Sequence, residues 1–340
     1  MPLARPQTSN AIFIWLLVIA AMVSAMILVG GATRLTDSGL SITEWRPVTG
    51  AVPPLTEAGW QRELELYRST TEYQMQNRGM SLSEFQFIYW WEWGHRFLGR
   101  MIGLVFALPL LFFWVRGMIP DRLKLPLLGL FALGGLQGAI GWWMVSSGLV
   151  DRLDVSQYRL ATHLGMAFVI LGLSVWLALD ARYGVNTRLP DRVSKWTFAF
   201  WGLVFLQIIL GAFVAGLDAG RIFTTWPLME GRLIPDGYLG GMGWLQAAFE
   251  SRPAVQLHHR WTAYVVTLGA GLLAYGLWTS AHPDLKRAAL WIGGVTLFQV
   301  MLGITTLVHA APLSLSLLHQ AGAILLFSTA AVTAWKSRRT

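Results

Sequence analysis

Cysteine is absent from the 340 residues of the chain. Its absence excludes disulfide bonds, thiol redox chemistry and thiolate ligation of a metal ion. Charged residues are also scarce, at 13% of the chain, whereas a soluble domain carries about 25%. Hydrophobic residues make up 54%. Because so little charge accompanies so much apolar surface, the composition argues against a soluble domain and predicts a membrane protein.

Eight long apolar runs predict the fold class, an all-α membrane protein with eight transmembrane helices. A helix of about 20 apolar residues crosses roughly 30 Å of hydrocarbon and satisfies its backbone hydrogen bonds internally. The first run lacks a small-residue cleavage site, so it is interpreted as a span and not as a signal peptide. The runs lie at 10–32, 87–115, 125–146, 156–179, 196–217, 254–279, 288–309 and 313–335.

The distribution of basic residues predicts the orientation of the chain in the bilayer. An even number of spans puts both termini on one side, and that side holds all four lysines, Lys124, Lys195, Lys286 and Lys336. Its short loops are denser in positive charge and most carboxylates lie opposite, so the N and C termini are predicted to be cytoplasmic. Basic residues at the surface of the lipid bilayer then account for the net charge of +8, and no nucleic-acid partner is expected.

The two halves of the chain repeat the same motifs in the same order. Asp37 after the first span matches Asp218 after the fifth, and His95 matches His259. Four spans per repeat give both halves the same direction across the membrane, which predicts a pseudo-twofold axis along the membrane normal. We therefore expect two four-helix bundles, an N-terminal one of residues 1–186 with the long periplasmic loop 33–86, and a C-terminal one of residues 187–340.

Four histidines lie inside the even-numbered spans, about 8–13 Å below the outer surface at 1.5 Å per residue. They are His95 and His163 in the first bundle, and His259 and His319 in the second. Two imidazoles that face each other at one depth are what bis-histidine ligation of haem iron requires. A single buried histidine is more often a hydrogen-bonded core residue, and zinc prefers four ligands or nearby carboxylates. The repeated pairs therefore favour haem. His258 points about 100° away from His259 and is expected at the rim or in a polar contact.

One carboxylate distinguishes the two predicted bundles. Glu92 lies one helical turn from His95, whereas Gln256 takes the equivalent place beside His259. This asymmetry favours chemistry in the first bundle, and an ion pair between Glu92 and Arg96 is the structural alternative. Arg96 and its counterpart Arg260 either bind haem propionates or extend toward water.

Three spans also share the pattern Gln-x-x-x-Gly, beginning at Gln137, Gln207 and Gln299. Small residues at such spacing allow transmembrane helices to approach closely. We interpret the pattern as serving helix packing and not ligand contact.

Longer motifs resemble the haem A synthase family, in its mitochondrial and proteobacterial branch. They are GGATRLTDSGLSITEW from Gly30, EWGHRFLGR from Glu92, ATHLGMA around His163, HHR around His259 and the pair His319-Gln320. The resemblance implies oxidation of the C8 methyl group of haem O to a formyl group, by two successive hydroxylations, to give haem A for terminal oxidases. It implies a bacterial inner-membrane enzyme, an oxidoreductase acting on a CH group, with its haem sites toward the periplasm.

The resemblance also implies roles for individual residues. His259 and His319 would ligate a b-type haem as cofactor, with Arg260 nearby. His95, His163 and Arg96 would bind the substrate haem O, and Glu92 would be catalytic. Some members of the family carry a cysteine pair that this chain lacks, so no role of those cysteines applies here.

The expected partners are haem O, haem O synthase (the protohaem farnesyltransferase), an unidentified electron acceptor for which a quinone is a candidate, and further copies of the chain in a homo-oligomer. The alternative function is a di-haem b, quinol-linked membrane electron carrier without bond-forming chemistry. A transporter built from parallel repeats is a second alternative, but it would require helices interrupted at mid-membrane.

Overall fold

The computed structural model describes residues 9–149, 152–186 and 191–339, and in these ranges the chain is helical without β-strands. Eight helices are long and apolar enough to cross a membrane, which confirms the predicted number of spans. They are α1 (Asn10–Leu35), α4 (Leu82–Val115), α5 (Asp121–Val145), α6 (Gln157–Tyr183), α7 (Arg192–Gly216), α9 (Arg252–Trp278), α10 (Pro283–Val308) and α11 (Leu313–Ser337).

In the described parts of the connections lie three shorter α-helices, α2 (Glu57–Arg68), α3 (Thr71–Met75) and α8 (Trp244–Glu250). α4 starts five residues before the predicted apolar run, because Ser81 and Glu84 form a capping box that begins the helix in polar sequence. The long connection after α1 is therefore largely ordered by its own helices and by the extension of α4.

The spanning helices pack mainly against others from the same half of the chain. α1 packs against α4 and α6, and α5 packs against α6 and α4; likewise α7 packs against α9 and α11, and α10 packs against α9 and α11. The groups meet where α6 contacts α7 and α11, and where α1 contacts α11. Phe168 and Phe327 pack edge to face across this contact, with ring centroids 5.2 Å apart. The division into two bundles stays a prediction, and its boundary between residues 186 and 187 adjoins residues 187–190, which lie outside the described residues.

Two polar contacts join α1 to the C-terminal half of the chain. Arg34 forms ion pairs with Asp37 at 3.0 Å, Asp154 at 3.3 Å and Asp218 at 3.0 Å. Deeper in the helix, Gln320 Nε2 donates to the carbonyl oxygen of Ile27 at 3.0 Å. Asp37 and Asp218 both have a φ of 50°, an unusual backbone conformation for a residue other than glycine. These two repeat-related residues also form ion pairs with the same side chain, Arg34.

The first long connection contains a buried polar contact above the membrane. Tyr67 and Phe85 pack in an aromatic cluster between α2 and the outer end of α4. The Tyr67 hydroxyl donates to Glu72 at 3.0 Å and accepts from Asn77 at 2.7 Å. Burial raises the pKa of Glu72 to about 8. The protonated carboxyl group is therefore favoured in the folded protein at neutral pH.

Candidate haem-binding and catalytic site

Each of the four membrane histidines packs against a glycine on a neighbouring helix. The glycines lie four or five residues before the ends of α1, α5, α7 and α10, so all four histidines lie at one end of the helices, the end that carries the two long connections. A Cβ atom at any of these glycines would come within 2.9–3.1 Å of the imidazole, too close for an ordinary contact. The pairs are Gly30 with His95, Gly141 with His163, Gly211 with His259, and Gly303 with His319.

The second histidine pair has the separation that axial haem ligands need. The ring centroids of His259 and His319 lie 6.5 Å apart, with ring planes at 82°. Two imidazoles on opposite sides of one metal ion, each with a metal–nitrogen bond of about 2 Å, have centroids roughly 6 Å apart. Both side chains are half-buried. The residues therefore fit a haem held by two histidines.

The first pair occupies equivalent places on its own helices. The rings of His95 and His163 face Gly30 and Gly141, and both side chains are half-buried like the second pair. Among the described residues, no group of three or more His, Cys, Asp or Glu side chains could hold a metal ion. A pair of neutral imidazoles suits the two axial positions of a haem iron better than the larger ligand set that zinc prefers.

Three of the four histidines are also bonded to a glutamine. The amide nitrogens of Gln137, Gln207 and Gln299 each donate to the backbone carbonyl oxygen of a histidine at 3.0 Å. The same nitrogens lie 3.1–3.2 Å from the ring Nδ1 of His163, His259 and His319, respectively. The helix-packing interpretation was therefore incomplete. In each pattern the glycine packs against a histidine ring, and the glutamine forms a hydrogen bond with the same histidine.

Glu92 is almost fully buried, with 2% of its surface exposed. One carboxylate oxygen accepts from the Ser41 hydroxyl at 2.8 Å and from the Ile42 amide at 2.7 Å, and the other accepts from Arg96 at 2.5 Å. The ion pair with Arg96 that the sequence offered as an alternative is thus present. The two further donors come from the loop after α1, about 50 residues away along the chain. The carboxylate therefore fixes this loop onto α4 one helical turn from His95.

The equivalent contact in the second half has the opposite polarity. Gln256 is also buried, and its amide nitrogen donates to the carbonyl oxygen of Phe223 at 2.9 Å. Phe223 is the counterpart of Ile42. In the first half Glu92 accepts a hydrogen bond from the backbone N–H of Ile42, whereas in the second half Gln256 donates one to the backbone carbonyl of Phe223. The amide oxygen of Gln256 is buried without a hydrogen-bond partner in the part of the chain that is described. The two halves hold matching loops, but only the first does so with a negative charge.

The arginines after the histidines fix the same loops. Arg96 donates to the carbonyl oxygens of Ile42 and Glu44, at 2.7 and 3.0 Å. Arg260 donates to those of Phe223 and Thr225, at 2.7 and 2.8 Å. These partners correspond in the two halves of the chain. Each arginine therefore supports the loop over its histidine pair, and binding of a haem propionate by either one stays a prediction.

Arg100, the last residue of the EWGHRFLGR motif, and His258 also have polar partners. Arg100 donates to the carbonyl oxygens of Pro47 at 2.8 Å and Arg46 at 2.9 Å. His258 Nε2 lies 3.0 Å from the hydroxyl of Tyr238 in the second long connection. The prediction that His258 makes a polar contact is confirmed, and Arg100 is a further support of the first loop.

The eight apolar helices and two histidine pairs define a multi-pass membrane protein with sites suited to bis-histidine binding of haem. Residues 13–331 match the family described as cytochrome oxidase assembly protein. The chain is 60% identical over 339 residues to haem A synthase of Maricaulis maris (strain MCS10), covering 100% of this chain and 99% of the relative. Haem A synthase of Parvibaculum lavamentivorans (strain DS-1 / DSM 13023 / NCIMB 13966) is 50% identical, over 94% and 92% of the two chains. That of Caulobacter sp. (strain K31) is 48% identical, over 98% of each. The chain belongs to the haem A synthase family.

Proposed function

We propose that this protein oxidises the C8 methyl group of haem O to a formyl group and so supplies haem A to terminal oxidases. The full-length similarity to proteins named haem A synthase supports the reaction. The observation that carries it in this chain is the asymmetry between two otherwise matching histidine pairs. One pair lies beside the buried carboxylate of Glu92, and the other lies beside the neutral amide of Gln256.

In this proposal the two pairs hold different haems. His259 and His319 would hold a resident b-type haem, which would supply electron transfer, and their 6.5 Å ring separation supports this role. His95 and His163 bind the iron of the substrate haem O. The loops fixed by Arg96 and Arg260 would cover the two sites on the periplasmic side, and binding of haem propionates by these guanidinium groups is part of the proposal.

Each hydroxylation joins the methyl carbon to the oxygen of one water molecule and releases two protons and two electrons. Two rounds give a gem-diol, which loses water to leave the aldehyde. Removal of electrons leaves positive charge on the carbon, and a nearby carboxylate stabilises that charge or accepts a proton from the attacking water. We assign this role to Glu92. The haem that His259 and His319 would hold would supply the path for these electrons to an unidentified acceptor, for which a quinone is a candidate.

The architecture that goes with this function is a pair of four-helix bundles, residues 1–186 and 187–340, in a bacterial inner membrane with cytoplasmic termini. The helix contacts within each half and the shared conformation of Asp37 and Asp218 support the repeat. Haem O synthase is the partner expected to deliver the apolar substrate, and a homo-oligomer is the expected assembly.

The test is to extract the pigments of the purified protein and separate them by chromatography. The proposal expects haem B together with haem O or haem A, with one haem B per chain. Two haem B per chain, without haem O or haem A, would instead identify a di-haem electron carrier. A matched sample of the His95→Ala variant should keep haem B and lose the other pigment.

A further inference from the structure

Three of the four membrane histidines are bonded to a glutamine, and the fourth, His95 at the proposed substrate site, is the exception. The glutamines precede the glycines that face the histidine rings by four residues, at 137, 207 and 299. The fourth glycine is Gly30, opposite His95, and the residue four positions before it is Met26. A thioether cannot donate a hydrogen bond to a backbone carbonyl or to an imidazole nitrogen. His95 therefore lacks the contact that its three counterparts have.

Met26 occupies the place that a glutamine has elsewhere. Its terminal methyl group lies near Gly99, one turn after His95 on α4, where an added Cβ would be 3.4 Å away. In the second half, Gln299 similarly lies against Gly322, three residues after His319 on α11. The side chain at this position thus reaches the histidine helix in both cases. The difference is chemical, an amide in one place and a thioether in the other.

The amide contact restricts a histidine in two ways. It ties the imidazole to the backbone of its own helix through one nitrogen, which limits rotation of the ring. The amide groups of Gln137, Gln207 and Gln299 also fill the space beside the ring, with the amide nitrogen 3.1–3.2 Å from Nδ1, so the ring cannot move in that direction. Residues that orient the ring of a metal-ligating histidine typically contribute about 10–100-fold to metal affinity.

We propose that these three glutamines are positioning residues that make His163, His259 and His319 permanent haem ligands, whereas Met26 leaves His95 as the ligand that releases. This inference rests on the proposed function, because it gives the resident haem two fixed ligands and the substrate haem only one. A site that must bind haem O and release haem A needs one ligand that dissociates readily. A site that holds a cofactor does not.

The first experiment introduces the missing amide. Met26→Gln should slow the transfer of haem O or haem A from the purified protein to an excess of apomyoglobin by about 10–100-fold. Haem B should leave at an unchanged rate, which serves as an internal control. Met22→Gln places the same amide one turn away on α1 and should leave both rates unchanged. An unaltered rate for haem O and haem A in Met26→Gln would overturn the inference.

The second experiment removes the amide where it is present. Gln207→Met and Gln299→Met should speed the loss of haem B by about 10–100-fold and shift its reduction potential and low-spin electron paramagnetic resonance signal. A purely structural role would lower the yield of folded protein but leave the spectrum of the remaining haem unchanged, and that result would overturn the inference.

The two experiments also separate this inference from the proposed function. Absence of haem O and haem A from the wild-type protein would refute the function, while the haem B measurements would still test the role of Gln207 and Gln299. Presence of those pigments, with release that does not depend on residue 26, would refute the inference alone.

Discussion

Replacement of Glu92 by glutamine removes a negative charge while nearly preserving the shape of the side chain. The wild-type carboxylate accepts three hydrogen bonds, from Ser41, Ile42 and Arg96. A carboxylate only accepts, whereas an amide has one accepting oxygen and one donating NH2 group. In Glu92→Gln at least one buried donor therefore faces another donor.

The structural cost of this change can be estimated from the contacts. A hydrogen bond to a charged group contributes about 1.5–3 kcal/mol, and a buried donor without a partner costs about 1–3 kcal/mol. We expect the free energy of unfolding to fall by about 2–4 kcal/mol, with loosening of the loop over His95. If Glu92 also acts in the chemistry, haem A formation should fall much further, by roughly 10²–10⁴-fold.

The assay measures haem A formed from haem O in membranes, normalised to the amount of folded protein and to its haem B content. Ser41→Ala is the matched control, because it removes one donor at a cost of about 1–2 kcal/mol but keeps the carboxylate. It should retain most of the activity. The reasoning is refuted if Glu92→Gln makes haem A at the wild-type rate. Equal losses of activity in both variants would make Glu92 only a support for the loop.

Three further predictions concern a histidine ligand, a glycine that faces it and the buried carboxyl group of Glu72 on α3. His319→Ala should remove most of the low-spin b-type absorption spectrum of the purified protein, whereas His258→Ala should remove little, and the reverse result would contradict the ligand assignment. Gly303→Ala places a Cβ 3.0 Å from the His319 ring and should lower haem B content, while Gly294→Ala, on the same helix in open space, should not; pigment extraction measures both. Because the pKa of Glu72 is raised from 4.5 to about 8, the stability it contributes is complete below pH 4.5 and is lost as the pH rises through 8. Glu72→Gln should therefore flatten the decrease in melting temperature between pH 5.5 and 8.5, and an unchanged decrease would assign it to other groups.

The eight spans could be predicted from the sequence because the length of an apolar run is a local property. The start of α4 could not, since the capping pair Ser81 and Glu84 lies in polar sequence outside the run. The helices α2 and α3 were missed for a related reason, because both are short and lie between polar residues. Their positions depend on contacts such as that of Tyr67 with Phe85 on α4.

The candidate site was predictable as a set of residue types but not as a set of contacts. Repetition of the motifs was enough to pair the four histidines and to single out Glu92. The donors to Glu92 lie on a loop about 50 residues earlier, which no local pattern connects to it. Similarly, Gln207 bonds to a histidine 52 residues further along the chain, so its spacing from Gly211 indicated packing and nothing more. Long-range hydrogen bonds of this kind appear only once the helices are placed side by side.

The contacts of α1 with the C-terminal half have a consequence for how the protein is made. Arg34 meets Asp218 across 184 residues, and the Ile27 carbonyl meets Gln320 across 293 residues. At a synthesis rate of about 5–20 residues per second, α1 emerges roughly 15–60 s before the side chain that bonds Ile27. The first helix to enter the membrane thus depends on the last one for its final contact, and a chain that ends before α11 leaves α1 without it.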